Sequence, residues 1–348
     1  MNMTSASTAV LTEIVLPGVV EPDGLFVNHR PVTAPGRGQA LVEVEAAGVS
    51  FAEQSMRRGR YPGQPRFPFV PGYDLVGVVG RVGEGVAPGL VGQRVAVATK
   101  TGGWTTHAVV DAADLIPVQD GLDPVEVETL VVNGITAWQM LHRKARVAAG
   151  QTILVHGAGG GVGMTLVQLA RHAGIRVIGT ASPRQHDALR ALGAEPIDYH
   201  DPDLAGRVRE LAPGGVAAAF DHLGGPSFER SFDLLASGGT LVAYGTASRR
   251  DDTNNLLVGF AAIFARFGLW SLLPNGRGAT FYNFWGGRLT RPAAFRRRMA
   301  ADLTAVLTLL RDDAIAAQVG ARLPLAEAGR AVALAESGTV SGKVVLIP

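Results

Sequence analysis

Thr152-Ile153-Leu154-Val155-His156 runs into Gly157-Ala158-Gly159-Gly160-Gly161-Val162-Gly163, and that into Met164-Thr165-Leu166-Val167-Gln168-Leu169-Ala170-Arg171-His172-Ala173-Gly174. Residues 152–155 are a short apolar run of the kind that forms a buried strand. After the glycines, Val162, Leu166, Leu169, Ala170 and Ala173 recur at helical spacing, and Gly174 is a natural helix stop. The order strand, glycine turn, helix predicts a dinucleotide site. Unpaired N–H groups and the positive dipole end at a helix N-terminus attract a pyrophosphate. Glycines allow the tight turn, the close approach of backbone to phosphate, and the packing of helix on sheet. The spacing is G-x-x-G-x-x-G at Gly157, Gly160 and Gly163, rather than the commoner G-x-G-x-x-G. The backbone of Gly157, Gly160, Gly161, Val162 and Gly163 is the expected phosphate cradle.

Outward from this stretch, the chain falls into two textures. Residues 13–16, 39–47, 75–82, 94–98 and 104–110 read as strands separated by Gly and Pro turns, which makes the first 130 residues a β-rich domain. Helices are expected over 124–132 and 135–143. Strands at 152–155, 177–180, 197–199, 216–221 and 240–244 then alternate with helices at 185–192, 204–211 and 227–235, the last closed by Gly238 and Gly239. That alternation predicts an α/β, doubly wound parallel sheet. A long helix is expected over 292–311 and a closing strand over 343–347. Residues 254–285 carry many aromatics, among them Phe260, Phe264, Phe267, Trp270, Tyr282 and Trp285. They suit a core or subunit interface, with one or two facing a pocket.

With 348 residues the chain has the length of two ordinary domains. No cysteine is present, which excludes disulfides, thiolate catalysis and every cysteine-ligated metal site. The net charge of +2 and the short arginine clusters at 57–60 and 296–298 argue against nucleic acid as a partner. The apolar run 256–273 is interrupted by Arg266 and Gly268, so it suits a buried or interfacial helix better than a membrane span. No charged segment followed by an apolar core opens the chain, and a cytoplasmic protein is the expectation.

A site for NAD carries a carboxylate at the end of the second strand, where it bonds the ribose 2′-hydroxyl. Here that place reads Thr180-Ala181-Ser182-Pro183-Arg184. A small hydroxyl followed by arginine suits the 2′-phosphate of NADP, though Arg184 could equally be a solvated residue at a helix start.

The chain resembles the zinc-independent medium-chain dehydrogenase/reductases of the quinone oxidoreductase group. The resemblance is carried by Ala47-Gly48-Val49-Ser50, Val70-Pro71-Gly72-Tyr73-Asp74, Val132-Asn133-Gly134-Ile135-Thr136-Ala137, the glycine turn, Asp221-His222-Leu223-Gly224-Gly225 and Gly342-Lys343-Val344-Val345. Within that group the chain is especially similar to the synaptic vesicle membrane protein branch, through residues 133–137, 179–182 and 196–200. The resemblance implies a Rossmann domain inserted in a chaperonin-10-like (GroES-like) β-barrel catalytic domain. It divides the chain into residues 1–130, 131–275 for NADP, and a 276–348 segment returning to the first domain, with an active site in the cleft and a homodimeric assembly.

Site residues follow from the same resemblance. Ser50 stands where quinone oxidoreductases place an asparagine near the nicotinamide. Tyr61 matches a tyrosine at the substrate cleft, a hydrogen-bond or proton donor if it is not simply a loop tyrosine packed by prolines. Thr136 matches a threonine beside the nicotinamide, or begins a helix. Arg184 and Tyr199 match 2′-phosphate contacts, Tyr199 alternatively packing the adenine. Ser182 and Lys343 are further candidate cofactor contacts, and Gly245 stands where the nicotinamide end passes. His156, His200 and His222 read as structural. Zinc-dependent relatives carry a cysteine and a histidine where this chain has Ser50 and Tyr73, so no metal is expected. Without a Lewis acid, hydride addition to a conjugated system is the easier chemistry, since charge spreads into an enolate or hydroquinone anion. The expected activity is NADPH-dependent reduction of a quinone or an α,β-unsaturated carbonyl. The alternatives are an enoyl reductase in natural-product biosynthesis, and a cofactor-binding adaptor or membrane-associated protein with little turnover.

Overall fold

The computed structural model of the chain describes residues 9–247 and 256–348. The first two positions of the aromatic segment 254–285 therefore lie outside the described residues. The chain divides into two compact units, one of residues 1–132 and 319–348, the other of residues 133–318.

The first unit begins with β1 (Val10–Val15) and β2 (Phe26–Pro31), an antiparallel pair. Then come β3 (Gln39–Val49), α1 (Phe51–Arg57), β4 (Asp74–Val82), β5 (Arg94–Ala98), β6 (His107–Asp111) and β7 (Ile116–Pro117). Helix α2 (Pro124–Trp138) crosses the division. The second unit holds β8 (Thr152–His156), α3 (Gly161–His172), β9 (Arg176–Ala181), α4 (His186–Ala191), β10 (Ala194–Asp198), α5 (Leu204–Leu211) and β11 (Val216–Asp221). It continues through α6 (Pro226–Asp233), β12 (Leu235–Ala243), α7 (Leu256–Ser271), β13 (Gly278–Phe281) and α8 (Pro292–Arg311). The chain then re-enters the first unit with β14 (Val319–Pro324), α9 (Ala328–Glu336) and β15 (Lys343–Ile347).

In the first unit seven strands form one sheet, in the order β14-β15-β3-β4-β5-β7 with β6 also pairing β3. Its core packs Val42, Val79, Val97, Trp104 and Leu346 with Val332 of α9. Such a sheet is apolar on the face that alternate residues turn inward, which is why its strands were legible as alternating runs.

In the second unit six strands run parallel, in the order β10-β9-β8-β11-β12-β13. Numbered within the unit this is 3-2-1-4-5-6, the dinucleotide-binding order, with its reversal between β8 and β11. Both central strands are buried along most of their length, as a sheet covered on two faces requires.

Several expectations need correction. The two helices expected over 124–132 and 135–143 are one helix, α2, which passes through Asn133-Gly134 and continues as a π-helical stretch, Gln139–Ala145. A glycine inside a helix costs only about 1 kcal/mol, which packing outweighs. Gly238 and Gly239 do not close a helix: they sit within β12, where the register against β11 shifts between Val216 and Ala218. Residues 276–318, read as part of the returning segment, belong to the second unit, because β13 pairs β12. Among the described residues no helix is long and apolar enough to cross a membrane.

Candidate functional site

In the second unit the glycine turn leaves β8 at the strand-order reversal. Gly160 is the N-cap of α3, so the first turn of that helix offers free N–H groups. Two glycines are required there. Gly157 has φ +64°, and a Cβ on it would stand 2.3 Å from Cε1 of His222. A Cβ on Gly163 would stand 2.3 Å from the carbonyl oxygen of Gly157, so helix and turn meet backbone to backbone. The side chain of Asn133 lies over the same helix start, its Nδ2 2.4 Å from where a Cβ of Gly161 would be. These glycines bring no side chain of their own to the turn, so its backbone and the start of α3 are the groups offered to a pyrophosphate, and a dinucleotide fits it.

A buried polar network holds the turn. Gly157 N–H donates to Thr180 Oγ1 at 3.3 Å, and Thr180 Oγ1 is 3.2 Å from His156 Nδ1. His156 Nε2 is 3.0 Å from Ser231 Oγ, which donates to Asp221 Oδ2 at 2.7 Å. Since Ser231 gives its proton to Asp221, it accepts from His156 Nε2–H, and Nδ1 accepts from Thr180. Burial lowers the His156 pKa, keeping the ring neutral as this arrangement requires. Asp221 also accepts from Ser227 Oγ at 2.7 Å and from the backbone N–H groups of Leu223 and Gly224. One chain of bonds thus fixes both the glycine turn after β8 and the turn after β11. His222 sits in that second turn, where a Cβ on Gly245 would be 3.1 Å from its Cβ. Gly157, His222 and Gly245 therefore meet at adjoining strand ends. Sequence reading took His222 as structural, and one residue past β11 it packs between the Gly157 and Gly245 turns.

Beside the turn, at the ends of β9 and β10, stand Ser182, Arg184 and Tyr199. Arg184 Nε donates to Ser182 Oγ at 3.3 Å, and Tyr199 N–H donates to the Ala181 carbonyl at 3.2 Å. Tyr199 is half exposed and its ring lies 4.2 Å from that of His200. Gln185, which the sequence did not flag, covers the glycine turn by donating from Nε2 to the Gly159 carbonyl at 3.2 Å. Thr136 lies inside α2 rather than at a helix start, and is buried. It acts on the Tyr282 hydroxyl, which donates to Gln139 Oε1 at 3.1 Å. Burial pushes the Tyr282 pKa well above its usual value.

In the first unit Ser50 caps α1. Its hydroxyl donates to Glu53 Oε2, its N–H donates to the same oxygen at 2.9 Å, and its Oγ accepts from Ala52 N–H at 3.1 Å. Glu53 Oε1 accepts from Tyr73 N–H at 2.6 Å. The Tyr73 and Tyr61 hydroxyls are 2.6 Å apart, and their rings meet edge to face. Lys100 Nζ stands 5.8 Å from the centre of the Tyr61 ring. Ser50 and Tyr61 are thereby joined through Glu53 and Tyr73. Burial first, then the neighbouring Asp74 carboxylate, push the Glu53 pKa up to about 7, against the hydrogen bond from Ser50.

Lys343 is buried in the first unit. Its ammonium is 2.6 Å from Asp74 Oδ2 and 2.8 Å from Glu128 Oε1. One ammonium cannot compensate two buried carboxylates, and burial beside Asp74 raises the Glu128 pKa well above the carboxylate range. Asp74 Oδ1 and Glu128 Oε2 are buried without other partners, and a carboxyl proton on Glu128 supplies the missing donor. The ammonium is bonded within this cluster of the first unit.

Ser50 and Tyr73 occupy the places at which zinc-dependent relatives carry ligands. Here the Ser50 hydroxyl donates to Glu53 and the Tyr73 hydroxyl is paired with Tyr61. Neither is the thiolate or imidazole that zinc takes. Among the described residues no three His, Cys, Asp or Glu side chains converge on a metal position. The donor set does not fit zinc.

Residues 36–120 match the family described as alcohol dehydrogenase GroES-like domain, and residues 161–268 match zinc-binding dehydrogenase. The synaptic vesicle membrane protein VAT-1 homolog of Homo sapiens is 37% identical over 68% of this chain. That match covers 61% of the human protein's length, so the chain accounts for about three fifths of it. A 2-haloacrylate reductase of Burkholderia is 34% identical over 73% of this chain and 80% of its own length. Two mycobacterial structures, one solved with NADPH and one of a quinone oxidoreductase, are each 31% identical. Both align over 97% of this chain and 100% of theirs, with TM-scores of 0.82 and 0.81.

Proposed function

The chain belongs to the medium-chain dehydrogenase/reductase superfamily, in its quinone oxidoreductase group, and from that premise we propose that it is an NADPH-dependent reductase of a quinone or an α,β-unsaturated carbonyl. The observation that carries this reading is the glycine turn into the N-terminus of α3 at the strand-order reversal, with Ser182, Arg184 and Tyr199 beside it and no carboxylate at the end of β9. A relative that reduces 2-haloacrylate and another solved with NADPH support the acceptor class and the cofactor.

Gly157, Gly160, Gly161, Val162 and Gly163 would hold the pyrophosphate, and Ser182, Arg184 and Tyr199 the 2′-phosphate. His222 and Gly245 would border the dinucleotide further along. A bound reduced nicotinamide supplies a hydride, which is the hard part of the chemistry. The chain's own task is then to orient the acceptor and meet the negative charge that develops on its oxygen. Ser50, Tyr61 and Thr136 are the hydroxyls proposed for that work. A conjugated acceptor suits them, since its charge is spread and neutral donors suffice.

The test is oxidation of NADPH and NADH by the purified protein, followed at 340 nm against 1,4-benzoquinone, 9,10-phenanthrenequinone, trans-2-alkenals and 2-haloacrylate. Turnover that prefers NADPH is the expected result. Preference for NADH would refute the 2′-phosphate assignment, and NADPH binding without oxidation across the panel would refute the reductase.

A further inference from the structure

Ser50 has an acid behind it that cofactor binding does not use. Glu53 is sealed from solvent, and its carboxyl is fixed by three donors: Ser50 N–H and Oγ–H on Oε2, and Tyr73 N–H on Oε1. The groups facing it across the fold leave it uncompensated. Asp74 on β4 repels its ionised form, and the ammonium that approaches Asp74, Lys343 on β15, is already shared with Glu128 of α2. Ser50, by contrast, is half-buried, and its hydroxyl is the bond by which Glu53 reaches outward.

We propose that Glu53 is the proton reservoir of the reduction and Ser50 its outlet. The inference rests on the reductase reading. As hydride joins the β-carbon of the conjugated acceptor, the C=C electron pair moves toward the carbonyl oxygen. The Ser50 O–H bond breaks, and its proton forms a bond to the α-carbon or, in a quinone, to the ring oxygen. The Glu53 carboxyl O–H bond breaks in turn, and that proton restores the Ser50 hydroxyl. The acceptor has gained hydride and proton, and Glu53 is left as carboxylate. Because Glu53 is sealed, its proton returns from water by way of Ser50 once product has left. Protonated Glu53 donates to Ser50 Oγ and so turns the Ser50 hydrogen toward the acceptor, whereas ionised Glu53 holds that hydrogen on itself. A pKa pushed up to about 7 keeps a large fraction of Glu53 protonated near neutral pH, where a general acid works best.

The experiment compares the full-length wild type with Glu53→Gln and Ser50→Ala, measuring kcat for enone reduction by NADPH from pH 5.5 to 9. In the wild type kcat should be level below about pH 7 and fall about tenfold per pH unit above it. Glu53→Gln should lose that inflection and lower kcat at pH 6 by about tenfold or more, with KM for NADPH unchanged. Ser50→Ala should lower kcat comparably and also lose the inflection. Infrared titration supplies a readout independent of turnover and of any folding defect in the variants: a protonated-carboxyl band disappearing with a midpoint near pH 7 in the wild type. An inflection that persists in Glu53→Gln, or a wild type without the titrating band, overturns the relay while leaving the reductase reading intact. A wild type that binds NADPH but oxidises it with none of the acceptors overturns the reductase reading, and the relay with it.

Discussion

Gly163 tolerates no side chain, because the atoms a Cβ would meet are backbone: the Gly157 carbonyl oxygen at 2.3 Å and Ala158 Cα at 2.7 Å. Neither can swing aside as a side chain does, so α3 must move off the turn. Gly163→Ala is expected to cost about 3 kcal/mol and to weaken NADPH binding; urea unfolding and a cofactor fluorescence titration read the two effects. Arg184→Ala should leave the fold untouched, since Arg184 is exposed. It should raise KM for NADPH about tenfold and leave that for NADH unchanged, as expected for one exposed charge-assisted hydrogen bond. Equal effects on both cofactors would remove Arg184 from the 2′-phosphate site. These residues were legible because a glycine fingerprint and the residues after the second strand stand at fixed distances along the chain. The buried cluster around Lys343 was not legible, for the opposite reason. The lysine's partners Asp74 and Glu128 lie far away in sequence, and only the pairing of β15 with β3, and β3 with β4, brings Lys343 and Asp74 into one buried cluster.

At the scale of elements, strands announced themselves through alternating or continuous apolar runs, and the long α8 through one apolar face, Phe295, Met299, Leu303, Val306 and Leu310. What the pattern hid is how α2 continues. Beyond Trp138 it widens into a π-helical stretch whose Gln139 and Arg143 both reach Asp302 of α8. Asp302 is buried, accepting from Gln139 Nε2 at 2.7 Å and from the Arg143 guanidinium through both of its oxygens. No propensity or periodicity foretells a π-helical stretch fastened by a carboxylate on a helix about 160 residues away. Asp302→Ala leaves the buried Gln139 amide without its best acceptor and frees the half-exposed Arg143. The expected loss is about 2–3 kcal/mol, less than for a fully buried pair, and is measured by urea unfolding. Because Gln139 also accepts from Tyr282, whose hydroxyl interacts with Thr136, the same variant should lower kcat if Thr136 serves the acceptor.

For the whole molecule, the buried groups whose pKa values are displaced around neutral pH are carboxyls raised in the first unit and histidines lowered in the second, so pH should move the stabilities of the two units in opposite directions. In the first, Glu53 has a folded pKa raised from 4.5 to about 7, and Glu128 is raised as well. A carboxyl raised on folding binds more protons folded than unfolded. Its contribution is full below the unfolded value near 4.5 and is lost as pH climbs through 7, about 3 kcal/mol for Glu53 alone. In the second, burial lowers the pKa of His156 and His222 below 6.5. These rings bind fewer protons folded than unfolded, so their contribution is present above 6.5 and is lost as pH falls below it. Raising the pH from 5 to 7.5 should therefore weaken the first unit and strengthen the second. Hydrogen exchange resolved by peptide checks this directly, comparing α1 and β4 with β8 and β11. Opening free energies should fall with pH in the first pair and rise in the second, and Glu53→Gln should flatten the fall without touching the rise. Parallel movement of both units would mean that the buried carboxyl cluster is not storing protons, and would remove the physical basis for a neutral Glu53 behind Ser50.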